Sequence, residues 1–235
     1  MNLSIQRTLA IFLKDVKDVT RNLFVTTTLL VPILLAIAYR NLGDITLEIH
    51  YTVINLTFSS VTAFVQCTLI AEEKEKNTLR TLMLSPATTA EILLGKSLLS
   101  LLITLMTILL CIQITGYVPE HVGLFALAII GSCLFYLALG TVLGLIAKSV
   151  MEASVVVLPI MFLFGFGTML ETLASNNAYL KLLEYLPNLQ LLRFAELLEQ
   201  QKFTSIGLPL LVIGIWSLLG ALLAVMVYRK QLQKR

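Results

Sequence analysis

Six long apolar stretches constrain the fold of this 235-residue chain more than any other feature of its sequence. The hydrocarbon core of a bilayer is about 30 Å thick and needs about 20 apolar residues per helix, whereas the strands of a membrane β-barrel alternate apolar and polar residues. Hydrophobic residues make up 57% of the chain and charged residues 13%, against about 45–50% and about 25% in soluble domains. The sequence therefore predicts an all-α membrane protein with six transmembrane helices. The predicted spans are residues 23–39, 51–71, 92–114, 122–147, 153–170 and 206–228.

The N-terminal residues 1–21 are predicted to form an amphipathic helix on the membrane surface, ahead of the first span. Most of its charged residues fall away from a set of apolar residues at helical spacing, namely Ile5, Leu9, Phe12, Val16 and Val19. The charges interrupt the apolar residues and no small-residue cleavage site follows, which argues against a signal peptide. The alternative is that these residues form a soluble extension of the first span.

The distribution of Lys and Arg predicts which side of the membrane each loop occupies. With six spans, 13 of the 17 basic residues fall on the side of the termini. These are Arg7, Lys14, Lys17, Arg21, Lys74, Lys76, Arg80, Lys96, Lys148, Arg229, Lys230, Lys234 and Arg235. Because basic residues concentrate in cytoplasmic loops, both termini and residues 71–97 are predicted to be cytoplasmic, in a multi-pass protein of the plasma or inner cell membrane.

The longest predicted outer loop, residues 174–205, contains two amphipathic helical stretches divided by Pro187. Asn188 follows the proline and is predicted to cap the second stretch. Both stretches are too short and too charged to span the membrane, so we expect interfacial or re-entrant helices at the outer mouth. An ordinary surface loop is the alternative.

The sequence lacks the patterns typical of an enzyme, a metal site or a bound cofactor. Gly95-Lys96-Ser97 resembles the end of a phosphate-binding loop, but Ala90 stands where that loop needs its first glycine. We therefore interpret Lys96 as an anchor at the cytoplasmic membrane surface. His50 and His121 lie at the outer ends of spans two and four, and nothing in the sequence brings three or four metal ligands together there.

One face of span two carries a polar stripe made of Asn55, Ser59, Thr62 and Gln66. At about 100° per residue, their spacing places all four on one narrow face of the helix, and in lipid such groups must face protein or water. The stripe is therefore either a hydrogen-bonded seam between helices or one wall of a transport path, and we predict the path. Further candidate path-lining residues are Met161, Phe162 and Met169.

Two pairs of glycines in spans four and five indicate close helix packing or a kink. Gly140 and Gly144 have the small-xxx-small spacing that lets two membrane helices approach closely. Gly165 and Gly167 follow Pro159, which predicts either close packing or a kinked section of a gating helix.

The polar segment between spans two and three carries a recognisable pattern. It runs Glu72-Glu73-Lys74-Glu75-Lys76, then Thr78-Leu79-Arg80-Thr81-Leu82, then Leu84-Ser85-Pro86 and Gly95-Lys96. This pattern resembles the cytoplasmic loop of ABC-2 type (type V) transporter permeases, and the layout of elbow helix, six spans and outer helices extends the resemblance over residues 1–235 as one transmembrane domain. In that family the loop holds a coupling helix that docks into a groove of the ATP-binding subunit. The resemblance implies a coupling region at residues 72–91, with Glu73, Glu75, Thr78, Leu79, Arg80, Thr81, Leu82, Ser85 and Pro86 as its residues.

The resemblance also implies partners and a function. Six spans make half a pore, so we expect a second permease copy or a paralogue, two copies of an ATP-binding subunit that holds ATP and Mg, surrounding membrane lipid, and no nucleic acid. The chain itself would be a non-catalytic exporter subunit for an amphipathic cargo, such as an antimicrobial peptide, a drug or a lipid-linked molecule. One alternative is an accessory or immunity subunit that sequesters a toxic peptide, and another is a permease like that of the haem exporter.

Overall fold

The computed structural model describes residues 5–78, 88–168 and 183–233, and the regular elements in these ranges are helices. The eight helices are α1 (Ile5–Arg21), α2 (Leu23–Leu42), α3 (Leu47–Glu75), α4 (Thr89–Thr115), α5 (Val122–Ile146), α6 (Val150–Gly165), α7 (Pro187–Glu199) and α8 (Gly207–Gln233). Within the described part, α2, α3, α4, α5 and α8 are long and apolar enough to cross a membrane. The predicted fifth span begins in the shorter α6 and ends at residue 170, among residues 169–182, which lie outside that part.

Helix α3 is the centre of the bundle. All residues in its 18-residue apolar window are buried by the rest of the chain, against 17% in the corresponding windows of α2 and α8. Its mean hydropathy of 1.6 is also lower than the 2.6 of α8. A membrane helix enclosed by other helices is free of the requirement for lipid-compatible side chains, so α3 can carry many polar residues.

Two helices contain a π-helical section at membrane depth. In α3 the section covers Phe58–Ala63, and in α6 it covers Met161–Gly165. The two sections lie side by side, since a Cβ atom placed on Gly165 would come within 3.0 Å of the Ser59 hydroxyl oxygen. Such sections are rare in helices and are frequent at functional sites.

Helices α3 and α5 approach each other at the glycine pair predicted from sequence. A Cβ atom on Gly144 would lie 2.6 Å from the carbonyl oxygen of Cys67, and one on Gly140 would meet the carbonyl oxygen of Ala63. A Cβ atom is not found this close to a non-bonded carbonyl oxygen, so only glycine fits at these two positions. The prediction that Gly140 and Gly144 permit close helix packing is confirmed.

The predicted amphipathic helix forms as α1 and packs against α4. Ile11 and Val19 are buried, and Ile11 contacts Gly95 of α4. The opposite face exposes an apolar stripe of Ile5, Leu9 and Leu13. Its predicted position on the membrane surface stays a prediction.

Candidate functional site

A buried ionic cluster joins α1, α3 and α4 at the end of the bundle that carries the polar segment. The Lys96 ammonium lies 3.1 and 3.2 Å from the two carboxylate oxygens of Asp15 and 3.2 Å from Glu73 Oε1. Asp15 and Lys96 are 1% exposed and Glu73 is 4% exposed. Lys14 and Thr78 also donate hydrogen bonds to the Glu73 carboxylate. We call these five residues the ionic cluster.

Two lysines face two carboxylates within the ionic cluster, and the half-exposed Lys14 also lies 3.9 Å from the carboxylate of Asp18. Burial raises the pKa of Asp15, while the ammonium groups of Lys96 and Lys14 act in the opposite direction. Removing charges from water is costly, and the attraction inside the protein offsets that cost only when every charge has a partner at good distance. The three buried members, Asp15, Glu73 and Lys96, therefore depend on one another.

The ionic cluster changes the interpretation of Lys96. The sequence predicts an anchor at the membrane surface, but the structure buries Lys96 because α1 lies over this part of α4 and supplies Asp15. An amphipathic α1 predicts a helix that covers others, and Asp15, three residues after Phe12 and four before Val19, is the sequence feature that could have indicated a buried partner.

Three of the predicted coupling residues lie in the described part of the chain. Glu73 points inward to Lys14 and Lys96, whereas Glu75 and Thr78 are exposed. The others lie outside the described residues, namely Leu79, Arg80, Thr81, Leu82, Ser85 and Pro86. A direct contact between Glu73 and a partner protein would require its present ion pairs to break. The coupling role of all these residues stays a prediction.

The end of α3 is also attached to the turn between α5 and α6. The Lys74 ammonium donates to the carbonyl oxygens of Leu145 and Ala147, both at 2.6 Å, where the C-terminus of α5 leaves carbonyl groups without helical partners. The Glu75 carboxylate accepts from the backbone N–H of Val150 at 2.8 Å, at the N-terminus of α6. The residues just before segment 79–87 therefore contact α1, α4, α5 and α6, so a displacement of this segment reaches four helices.

The polar stripe of span two is buried and hydrogen-bonded within the chain. Thr62 bonds to the Thr104 hydroxyl of α4 at 2.9 Å. Gln66 donates to the Thr141 hydroxyl of α5 at 3.0 Å and accepts from Ser100 of α4 at 2.8 Å. Asn55 donates to the backbone oxygen of Asn188, and Ser59 to that of Asn55, both at 3.1 Å. These contacts favour the seam, and path lining by the stripe stays a prediction that requires α3 and α4 to separate in another conformation.

The two interpretations of the stripe predict different results for Ser59→Leu and Thr62→Leu. Given the contacts in this structure, we expect Ser59→Leu to overpack the contact with Gly165 of α6 and Thr62→Leu to overpack the contact with Thr104 of α4, each destabilising the fold by about 1–3 kcal/mol. The measurements are melting temperature and recovery of the assembled protein in detergent, beside a transport assay. Ser154→Leu, at a half-buried hydroxyl of α6, is the control. Altered cargo selectivity with an unchanged melting temperature would instead assign the stripe to the path.

The α7 helix begins differently from the sequence prediction. Leu186 is the N-cap residue and Pro187 takes the first helical position, so the prediction of Asn188 as the cap is wrong. The pyrrolidine ring already has a helical φ and needs no hydrogen-bond acceptor, which makes the first turn its favoured place. Asn188 is therefore inside the helix, and its amide donates to the Phe164 carbonyl oxygen of α6 at 3.1 Å.

The other candidate path-lining residues lie on the same section of α6. Phe162 is 65% exposed on the surface of the chain and Met161 is half-buried. Met169 lies outside the described residues. Exposure of Phe162 makes it available to lipid, to a second chain or to a cargo.

The two outer histidines lie in separate aromatic contacts. The His50 ring centroid is 4.9 Å from that of Tyr117, and the His121 ring centroid is 5.1 Å from that of Phe203. Within the described ranges there is no group of three or more His, Cys, Asp or Glu side chains arranged to hold a metal ion.

Comparison with protein families gives a match over most of the chain. Residues 45–227, which run from just before α3 into α8, match the family described as ABC-2 family transporter protein. A search among curated proteins found no match.

Proposed function

The chain belongs to the ABC-2 family of transporter proteins, and we propose that it is the permease subunit of an ABC exporter. Membership makes it a multi-pass membrane component of an ABC transporter that works with an ABC ATP-binding subunit and is not catalytic itself. In the proposed assembly, two permease chains, identical or paralogous, form the path. Two ATP-binding subunits bind ATP and Mg on the cytoplasmic side, where both termini of this chain lie.

The observation that carries the proposal is the ion pair between described residues on either side of segment 79–87. Glu73, just before the segment, and Lys96, soon after it, belong to the same ionic cluster. A permease without a nucleotide site can change conformation only through contacts that differ between the nucleotide states of a partner. A partner that pulls on this segment acts on α1, α3 and α4 together, which suits a coupling role.

An amphipathic cargo is proposed because the candidate path residues combine two kinds of surface. Phe162 and Met161 offer apolar contacts on α6, and the neighbouring α3 would offer hydroxyl and amide groups once α3 and α4 separate. A cargo with both an apolar body and polar groups matches this combination, whereas a small inorganic ion does not.

The coupling role is tested by the double substitution Arg80→Glu and Leu82→Glu. We expect the permease to insert normally, while its affinity for the ATP-binding subunit falls about 100-fold or more, because new carboxylates in the docking groove are buried without partners. The measurements are co-purification of the ATP-binding subunit and transport-linked ATP hydrolysis. Lys230→Glu, a charge reversal at an exposed residue of α8, is the control. Unchanged complex yield and ATP hydrolysis in the double variant would reject the coupling role.

The proposed orientation is tested by single cysteines at Lys76 and Lys230, in a background without Cys67, Cys111 and Cys133. Both lysines are exposed, whereas Lys74 is bonded to α5 and would be a poor site. We expect an impermeant thiol reagent to label both positions only after the cells are opened, since basic residues favour the cytoplasmic side. Labelling of either position in intact cells would overturn the proposed orientation.

A further inference from the structure

Two asparagines meet where α3, α6 and α7 come together. The Asn55 amide nitrogen donates to the Asn188 backbone oxygen at 3.1 Å, and the Asn188 amide nitrogen donates to the Phe164 carbonyl oxygen at 3.1 Å. Both donors face carbonyl oxygens, which fixes the orientation of each amide group. Both asparagines are 1% exposed.

The amide oxygens of these two asparagines have no hydrogen-bond donor among the described residues. A buried acceptor left without a donor costs about 1–3 kcal/mol, and most buried polar groups in proteins are bonded. Two such acceptors at one contact between helices indicate a place for a donor that the described residues do not supply.

The described hydrogen-bonding groups around the two acceptors are neutral. The hydroxyl of Thr52, on α3, bonds to the hydroxyl of Thr168, which follows α6, at 3.2 Å. The Asn188 amide donates to the carbonyl oxygen of Phe164. A cation buried at this depth would need an opposite charge, which these groups lack. Hydroxyl and amide N–H groups need only acceptors, so they match the site.

The exposed surface of α6 lies close in sequence to this contact. Phe162, exposed on the π-helical section, is close in sequence to Phe164, whose carbonyl oxygen holds Asn188. Gly167 has no side chain, and the Asn188 amide group occupies the space where a Cβ atom would lie. Access of a ligand to the two acceptors would require α7 to move away from α6 at this contact.

We propose that the amide oxygens of Asn55 and Asn188 form a binding site for a neutral hydrogen-bond donor, a hydroxyl or an amide N–H group of the cargo. The proposal rests on the proposed transport function, because it assigns to the cargo a neutral polar group beside its apolar part. Water offers the same donor chemistry, and the experiment separates the two sources.

The experiment uses Trp216, the single tryptophan of the chain, as a reporter. Its indole N–H donates to the backbone oxygen of Tyr185 at 2.8 Å, shortly before Asn188 in the sequence. The full-length chain in lipid nanodiscs is titrated with 1-decanol and with its isomer methyl nonyl ether, which has the same atoms but no donor. We expect a saturable change in Trp216 fluorescence and about tenfold tighter binding of the alcohol.

The substitutions Asn55→Leu and Asn188→Leu should each abolish the preference for the alcohol. Thr107→Val, which removes a buried hydroxyl bonded within α4, should retain it. Asn188→Ser withdraws the amide oxygen but keeps a small polar group, and it gives the same test if a leucine variant does not fold. Equal affinity for alcohol and ether in the wild type, as expected if water alone serves the acceptors, would overturn the proposal. A preference that survives in the asparagine variants would also overturn it.

The result is independent of the coupling test, because no ATP-binding subunit takes part. Donor-selective binding without coupling would keep the site and reject the exporter proposal. Coupling without donor-selective binding would keep the exporter proposal and reject the site.

Discussion

Lys96→Met should destabilise the protein by about 3–5 kcal/mol, because it leaves Asp15 as a buried carboxylate without its cation. Methionine fills a similar volume, so the loss reports on charge rather than on packing. The expected observation is a large drop in melting temperature and in recovery of monodisperse protein from detergent. Glu73 retains Lys14 and contributes less to the loss.

The double variant Lys96→Met with Asp15→Leu provides the decisive control. It removes the unpaired carboxylate together with the lysine, so we expect it to recover much of the lost stability, as when other buried ion pairs are replaced by apolar residues. Lys230→Met, at an exposed lysine, should leave the melting temperature unchanged. Similar melting temperatures for Lys96→Met and the wild type would show that the ionic cluster does not stabilise the fold.

Gly140→Val should separate α3 from α5 and destabilise the protein by about 3 kcal/mol or more, at the upper end of overpacking effects. The new side chain would meet the Ala63 backbone and, within 2.9 Å, the Cβ atom of Gln66. Because Gln66 bonds to Thr141 of the same helix, the substitution also disturbs a buried amide. Thermal unfolding and limited proteolysis in detergent are suitable measurements.

The matched control is Gly214→Val in α8, where a Cβ atom would have no neighbour within 4 Å. The two variants make the same chemical change in membrane helices and differ in the space available. A loss of stability that is equal in both would attribute the effect to helix propensity instead of the α3–α5 contact.

The helices could be predicted from sequence, because their length and apolar content follow from the thickness of the bilayer. The close approach at Gly140 was also predictable, since the spacing of small residues on one helix is local information. The partner of Lys96 was not, because Asp15 is 81 positions away and only the packing of α1 on α4 brings them together.

The polar stripe shows the same limit of sequence information at the candidate site. Helical spacing placed Asn55 and Gln66 on one face of α3, but it could not tell a protein neighbour from water. That distinction depends on the positions of α4 and α5, which supply Thr104 and Thr141. Asn188 was assigned to the wrong position because Pro187 and Asn188 are both common at helix starts, and the proline took the first turn.

The enclosure of α3 has a consequence for how the protein is made. During synthesis α3 enters the membrane before α4 and α5 exist, with a mean hydropathy of 1.6 against 2.4 for each of them. Until α5 follows, the amide of Gln66 lacks Thr141, and its polar face would meet lipid, the translocation machinery or a chaperone. The partners of the polar groups of α3 are therefore made after α3 itself, so we expect the central helix to reach its final hydrogen-bonded state only once α4 and α5 have been inserted.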